Sequence, residues 1–570
     1  MPVLADHNPS TASSVPQVIT ANYPKYAHNF TPLHTQNTSA MMMAQIARAT
    51  PVAMIRKKTN EPVVPNSPEP VNLPEIQLET TLANLYRQAS SRHGRKRIAQ
   101  VLSCVNAGIA LTPDVPRNTK YLYQDGCFNS TIEKDETANT KANRQRQLAI
   151  KYLSLIAQRD AFVSGDTHAI FFYIGDFPEQ IAHDKSQAEE TLAVLPASQR
   201  PKLLFCSGPD SIPLENEGID FLAHKIMLDG LEKYPLLNAP ETHWTINSKL
   251  ALAKSGLPTP RCEYIELDGY IAEAAECCAA CQKDPEAFPI VATCNGNRGK
   301  WIEKQSALIH KKLAERELPF VLKNQQTFGG AGTYIIRTED ERRRITEELQ
   351  SGILRKLLSA VTKDNVHLEP GTLILSDMVK DPIGDYGLTF FVNDDGRDPT
   401  FLAASEQITN GEGAWMGSTI NYSRQLELKK KFEPLVKKIA RWIQGHGYIG
   451  PAGADILETA ASSDDKDNFH IVDLNIRTSG SLCLPLLRGH FTSRGLPCAS
   501  SSSVSTRMNR KNFIALFSKE FSSGQMCILS WYEDTESGMS VADVAIGAVD
   551  EQGLEEAMKR MAQVTEQITF

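Results

Sequence analysis

Leu322-Lys323-Asn324-Gln325-Gln326-Thr327-Phe328-Gly329-Gly330-Ala331-Gly332-Thr333-Tyr334-Ile335-Ile336 reads as two short apolar strands joined by a turn with three glycines in four positions. Glycines let backbone N–H groups approach anionic oxygens closely, and Lys323 at the end of the first strand supplies a fixed positive charge. The stretch is a candidate phosphate cradle. It is not a Walker A loop, because no Gly-Lys-Ser/Thr opens a helix, and not a dinucleotide fingerprint, because a strand follows where a helix should. A hairpin whose turn happens to be Gly-rich is the competing reading, and this stretch alone does not separate the two.

A second constellation lies downstream. Ala454 to Leu457 and His470 to Leu474 read as strands joined by the polar loop Ser462 to Asn468, an antiparallel hairpin signal. Asp473, Asn475 and Arg477 are two residues apart, so a strand points them to one face, and Asp455 on the paired strand can join them. Two carboxylates and an amide oxygen are hard ligands suited to Mg²⁺. A solvated face with salt-bridged charges is the bland alternative. The apolar neighbours Ile471, Val472, Leu474 and Ile476, taken with the Gly-rich turn, favour the metal.

Outward from these two pieces, residues 1–75 are rich in Pro, Ser, Thr and Asn and are expected to be an extended or disordered arm. Residues 76–245 hold a helical lead-in, with a helix expected over Ala142 to Asp160, and a small parallel α/β module. Its strands are signalled by His168 to Ile174 and Lys202 to Cys206. Helical Ile246 to Ser255 runs into Pro258-Thr259-Pro260. Strands are expected at Thr372 to Leu375, Leu388 to Val392 and Phe401 to Ala404. A helix follows on Phe432, Leu435, Val436, Ile439, Trp442 and Ile443, with Pro434 in its first turn or kinking it. Ser500 to Ser503 reads as a flexible joint, after which Met526 to Trp531 and Gly553 to Ala562 supply a strand and a helix.

The chain has 570 residues, 41% hydrophobic and 22% charged, which is the composition of several folded domains. Its formal charge of −7, from 60 basic and 67 acidic residues, supplies no basic field for nucleic acid or anionic membrane. No run of about 18 apolar residues suggests a spanning helix. The 11 irregularly spaced cysteines read as reduced thiols, and the first 24 residues lack Lys, Arg and a continuous apolar run, so a cytoplasmic protein is expected. A transit peptide is the less favoured reading of the acid-poor start.

The order of these pieces resembles that of the ATP-grasp superfamily, over about Ile246 to Leu487. The resemblance implies an α/β (α+β) protein: a preceding parallel α/β domain, an ATP-grasp lid subdomain at 246–385 with the Gly-rich loop, a second grasp subdomain at 386–503 with the metal site, and a C-terminal α/β extension at 504–570. Asn247-Ser248-Lys249, followed by Gly256-Leu257-Pro258-Thr259-Pro260, is similar to the family's first phosphate-binding Lys and its turn. This makes Lys249 and Lys323 ATP ligands, with Gly329, Gly330 and Gly332 in the loop over the phosphates. Leu373-Ile374-Leu375-Ser376-Asp377-Met378-Val379 resembles the hinge strand that reads adenine, with Asp377 where Glu is more usual. Asp385 is the residue in line for the ribose. Asp455, Asp473 and Asn475 resemble the metal ligands for Mg²⁺ or Mn²⁺. Arg477, with Lys323, resembles the catalytic cations, and Ser479 and Gly480 join Arg477 in an oxyanion-stabilising patch.

What the resemblance implies is an ATP-dependent ligase that activates a small carboxylic acid as an acyl phosphate for attack by an amine, releasing ADP and phosphate. Its partners would be those small molecules, with a homodimer as the assembly common among relatives. A nucleotide-binding scaffold without turnover and a kinase-like phosphotransferase are the alternatives. Glu406, next to Gln407, is a weaker substrate-contact candidate, as is Gly413 to Gly417 beyond it; an exposed turn acid is the blander reading of Glu406. Cys277, Cys278 and Cys281 include a Cys-x-x-Cys and Cys294 follows. A zinc site would want a paired second half, and the Ala-rich surroundings suit a helix with buried thiols. Asn297-Arg298-Gly299-Lys300 reads as a solvated loop. None of the 13 histidines is spaced with another as a ligand pair or triad.

Overall fold

The computed structural model describes residues 70–102, 110–124, 155–173, 177–327, 332–394, 396–409, 415–460, 468–534 and 538–567. Expectations for the N-terminal arm to 69, for Gly329 and Gly330, and for Gly413 and Ala414 lie outside these residues, as does most of the helix sought at Ala142 to Asp160. Its described end, 155–162, is helical. Among the described residues no helix is long and apolar enough to cross a membrane.

A four-stranded parallel sheet comes first, in the order β3-β2-β1-β4: β1 (Ile98–Val101), β2 (His168–Phe172), β3 (Lys202–Cys206) and β4 (Phe221–His224). Both faces are covered, so Ile98, Ala99, Val101, Ala169 and Ile170 are buried. The interior strand β1 and its neighbour β4 carry no clear strand signal in the sequence, because Gln100 and His224 interrupt the apolar runs. Gln100 is nonetheless buried, and its amide oxygen accepts from the Ser164 hydroxyl at 3.3 Å.

Helices α1 (Pro240–Ile246) and α2 (Lys249–Lys254) lead out of this module. The next unit is an antiparallel sheet in the order β5-β8-β6-β7: β5 (Cys262–Ile265), β6 (Phe320–Lys323), β7 (Thr333–Ile336) and β8 (Leu373–Asp377). Helix α3 (Asn297–Glu315) packs Ile302, Ile309 and Leu313 into one core with Phe320, Leu322 and Leu375 of the sheet.

The third unit is a nine-stranded sheet. Its path is β13-β12-β9-β10-β11-β14-β16-β15, with a short β17 (Glu566–Gln567) paired to β14. The strands are β9 (Gly384–Val392), β10 (Thr400–Thr409), β11 (Trp415–Asn421), β12 (Gly450–Glu458), β13 (Phe469–Asn475), β14 (Cys498–Thr506), β15 (Met526–Asp534) and β16 (Met539–Ala548). Helix α4 (Gln425–Gly445) lays Leu428, Phe432, Leu435, Val436, Ile439 and Ile443 on Leu388, Phe390, Ala454 and Ile456 of this sheet. Pro434 lies in the interior of α4, not its first turn. It sits on the exposed side, so the amide it lacks is missed only on the solvent face.

Ser500 to Ser503 is not a joint. These residues form the middle of β14, buried between β11 and β16 in unbroken antiparallel register. A serine run carries no apolar signature, yet its hydroxyls find partners inside: Ser500 Oγ donates to the Ser418 carbonyl at 3.1 Å, and Ser503 Oγ donates to Asp543. Positions 503 and 504 therefore share one strand, as 385 and 386 share β9. Strands β16 and β15 continue the large sheet beyond β14, and β17 pairs with β14 as well.

Candidate functional site

Lys249 is the first residue of α2, where Ser248 caps the helix by accepting from the Ala251 N–H at 3.0 Å. The helix start is tied to the end of β6: Lys249 N–H donates to the Gln325 carbonyl at 3.0 Å, and Leu250 N–H to the Gln325 side chain at 2.8 Å. The two lysines flagged by their neighbourhoods, 74 positions apart in the chain, are thereby stapled together. The turn after Lys323 closes on itself, Asn324 N–H donating to the Gly332 carbonyl at 2.9 Å.

Both ammonium groups reach the large sheet. Lys249 forms an ion pair with Asp473, and Lys323 Nζ donates to the Val472 carbonyl at 2.6 Å. Asp473 and Asp455 are direct partners across β13 and β12, and Asn475 is opposite Gly453 one step on. Asn475 Nδ2 donates to Asp455 Oδ2 at 3.2 Å. Asp455, Asp473 and Asn475 share the expected face, whereas Arg477 lies beyond the end of β13.

These charges shape one another. Burial, then Asp473 and Asp385, push the Asp455 carboxyl well above the ordinary carboxylate range. Burial also works to raise Asp473, but Lys249, Lys323 and Arg477 outweigh it and hold this carboxyl below its usual value. Burial lowers the Lys323 ammonium, with Asp473 opposing. The arrangement keeps one carboxylate anionic among three cations and leaves its neighbour short of compensation, a demand that a divalent cation on the pair would meet. The donor set of two carboxylates and an amide suits Mg²⁺ or Mn²⁺.

Arg477 is buried, and its Nη1 donates to Asn247 Oδ1 at 3.3 Å. Asn247 is a hub, a role that the Asn247-Ser248-Lys249 motif does not signal. Its Oδ1 also accepts from Ile476 N–H at 2.8 Å, while its Nδ2 donates to the His243 carbonyl at 2.9 Å. Gln407, expected with Glu406 only as a weak substrate-contact candidate, lies against Asp455 instead. Its Nε2 donates to Asp455 Oδ1 at 2.8 Å, passing over Gly387 of β9. A Cβ on Gly387 would lie 2.5 Å from that nitrogen, so the glycine opens the path. No local pattern signals either contact, because each joins strands or helices far apart in the chain.

Strand β8 ends at Asp377, and Met378 and Val379 follow. With Pro258 to Arg261, Lys380, Thr459, Ala460 and His470 they line an open cleft of about 510 Å³. The Pro258-Thr259-Pro260 turn is docked on β13, since Ile471 N–H donates to the Pro258 carbonyl at 2.8 Å and Thr259 Oγ1 donates to the Ile471 carbonyl at 2.9 Å. Asp377 itself is exposed and paired with Arg316. Asp385 sits on β9 opposite Leu457, and burial pushes its carboxyl up to about 6. It does not line the cleft but stands within electrostatic reach of Asp455. Glu406 is not gathered into the site. It is exposed and paired with Arg424 at 3.2 Å, as the blander reading expects, although it stands within β10 and not in a turn. Ser479 and Gly480 follow Arg477 after the intervening Thr478, Ser479 Oγ lying 3.1 Å from Ser481 Oγ.

No protein-family model matches the chain, and no curated protein matches it. Among solved structures, N5-carboxyaminoimidazole ribonucleotide synthetase in its ADP complex aligns at 12% identity over 71% of this chain and 92% of its own, with a TM-score of 0.42. Carboxyaminoimidazole ribonucleotide synthase from Aspergillus clavatus, complexed with ATP, aligns at 12% identity over 82% and 98%, with a TM-score of 0.41. Biotin carboxylase from Campylobacter jejuni in a β-γ-ATP complex aligns at 10% identity over 71% and 86%, with a TM-score of 0.39. Likenesses this slight carry no argument about this chain, and the functional reading stands on the site.

Proposed function

We propose that this chain is an ATP-grasp ligase that activates a small carboxylic acid as an acyl phosphate and passes it to an amine, with release of ADP and phosphate. One observation carries the reading: Lys249, Lys323 and Arg477 converge on the paired carboxylates Asp455 and Asp473 where two antiparallel sheets meet. Three cations around one carboxylate pair match the needs of a transferring phosphoryl group, whose catalysis is positioning and charge relief with no protein nucleophile.

In this reading Lys249 and Lys323 hold phosphate oxygens, and the turn bearing Gly329, Gly330 and Gly332 covers them. Asp377, Met378 and Val379 bind adenine in the hinge cleft, and Asp385 holds the ribose. Asp455, Asp473 and Asn475 hold Mg²⁺, which when bound neutralises phosphate charge. Arg477, oriented by Asn247, meets the transferring phosphoryl group, and Ser479 with Gly480 borders it. The unit built on β5, β6, β7 and β8 acts as the lid and the large sheet as the base. The two substrates are a small acid and an amine, and the assembly is a homodimer.

The test is ADP release that requires an acid and an amine together. Removing one preorganised charge in such a site costs on the order of 10²–10³ in turnover, so Lys323→Ala and Asp473→Ala should each fall by that much. Substrate-dependent AMP and pyrophosphate would refute the acyl-phosphate route, and a phosphorylated product that persists without amine would point to a kinase.

A further inference from the structure

Between β5 and α3 the described chain has little regular structure: a single turn at Ala274–Glu276 and a short helix at Ala279–Lys283. The expected helix with buried thiols is confined to Ala279–Lys283, which carries Cys281 but neither Cys277, Cys278 nor Cys294. Instead Cys294 folds back onto Cys277, Cys278 and Cys281, and all four sulfurs lie within 4.8 Å of one another. The separations are 3.4 Å for Cys281–Cys294, 3.5 Å for Cys277–Cys294, 3.7 Å for Cys278–Cys294 and 4.0 Å for Cys278–Cys281. A tetrahedron with Zn–S bonds of about 2.3 Å has sulfur–sulfur edges of about 3.8 Å. The second half that the Cys-x-x-Cys lacked is supplied by the vicinal Cys277 and by Cys294, 13 positions beyond Cys281.

The surroundings are those of a thiolate site. Backbone N–H groups of Cys281, Ala280 and Gly296 lie near the Cys278 sulfur, and those of Arg298 and Cys278 near the Cys277 sulfur. The Arg298 side chain reaches the Cys281 sulfur. Outer contacts of this kind orient metal-bound ligands and offset their charge. The chain is also cut to fit: a Cβ at Gly296 would lie 2.6 Å from Cys277 Sγ. Asn297 to Lys300 is thus the first turn of α3, begun under the cluster, and not a solvated loop. Cys281 and Cys294 are buried in the core that α3 shares with β6, the strand carrying Lys323.

We propose that Cys277, Cys278, Cys281 and Cys294 bind one zinc ion as a structural tetrathiolate site that closes the β5–α3 connection and seats α3 on the sheet. The four thiols give up their protons on binding, and the ion fixes a segment too poor in regular structure to hold itself. The proposal is independent of what the ATP site does.

Elemental analysis of the purified full-length protein tests it, with one zinc per chain expected. A mercurial thiol reagent should release that zinc from the unaltered protein, so the result does not depend on a variant folding. Protein produced with Co²⁺ should show the visible absorption of tetrahedral thiolate coordination. Cys278→Ser with Cys281→Ser should lose the metal, whereas Cys206→Ser, in a different core, should keep it. Any of three results would overturn the proposal: four reactive thiols and no metal in the folded protein, a mass deficit corresponding to two disulfides, or iron in place of zinc.

Discussion

Lys225 and Asp160 form an ion pair at 2.5 Å with side chains only 3% and 2% exposed. Thr478 completes the group: its hydroxyl lies 3.0 Å from Lys225 Nζ and 2.6 Å from Asp160 Oδ2, and Lys225 also donates to the Thr478 carbonyl at 3.1 Å. The pair therefore joins the parallel module to the residue after Arg477. At this burial solvent does not screen the charges. Lys225→Met leaves Asp160 without its cation in a dry interior, and breaking one partner of such a pair costs about 3–5 kcal/mol. At about 1.4 kcal/mol per decade that is two to four decades in the folded-to-unfolded ratio. The double variant Lys225→Met/Asp160→Leu removes both charges and should recover most of the loss. The urea midpoints of the wild type, both single variants and the double variant measure the coupling, provided the slopes agree. Additive losses, or a Lys225→Met cost below about 1 kcal/mol, would refute the view that an uncompensated buried charge dominates. The single variants should also lower ATP turnover, because Thr478 sits beside Arg477.

Ser503 Oγ donates to Asp543, which Ser530 and Arg159 also hold, so Ser503→Ala should cost about 1–3 kcal/mol in urea unfolding. Ser505 in the same strand is buried with an unpartnered hydroxyl, and Ser505→Ala should be near neutral; equal losses at the two positions would contradict the hydrogen-bond account. Burial holds the His490 imidazole down at about 4, against the Gly524 carbonyl it bonds at 2.8 Å. Its unfolded form binds the extra proton first, so the stability it contributes is complete above about pH 6.5 and is lost as pH falls toward 4. His490→Gln should flatten the urea-midpoint profile in that window, and an unchanged profile would count against it. Gly387→Ala should push Gln407 off Asp455 and raise the Mg²⁺ concentration needed for half-maximal turnover, whereas an unchanged Mg²⁺ requirement would show that Gln407 does not tune the site.

Sequence by itself determined the pieces with local causes. A period of two placed Asp473 and Asn475 on one face, helical spacing found the buried side of α4, and glycines with Lys323 marked the turn between β6 and β7. Tertiary structure decided whatever depends on a distant partner. Ser500 to Ser503 became a buried strand because neighbours on both sides satisfied its backbone and Asp543 took a hydroxyl. Gln100 was accepted in β1 through Ser164. Asn247 and Gln407 acquired their places only when α1 met β13 and β10 lay beside β9. The four cysteines show the difference most plainly. Their spacing within the chain looked like half a site, and the other half came from how the chain turns back, which no periodicity along it encodes.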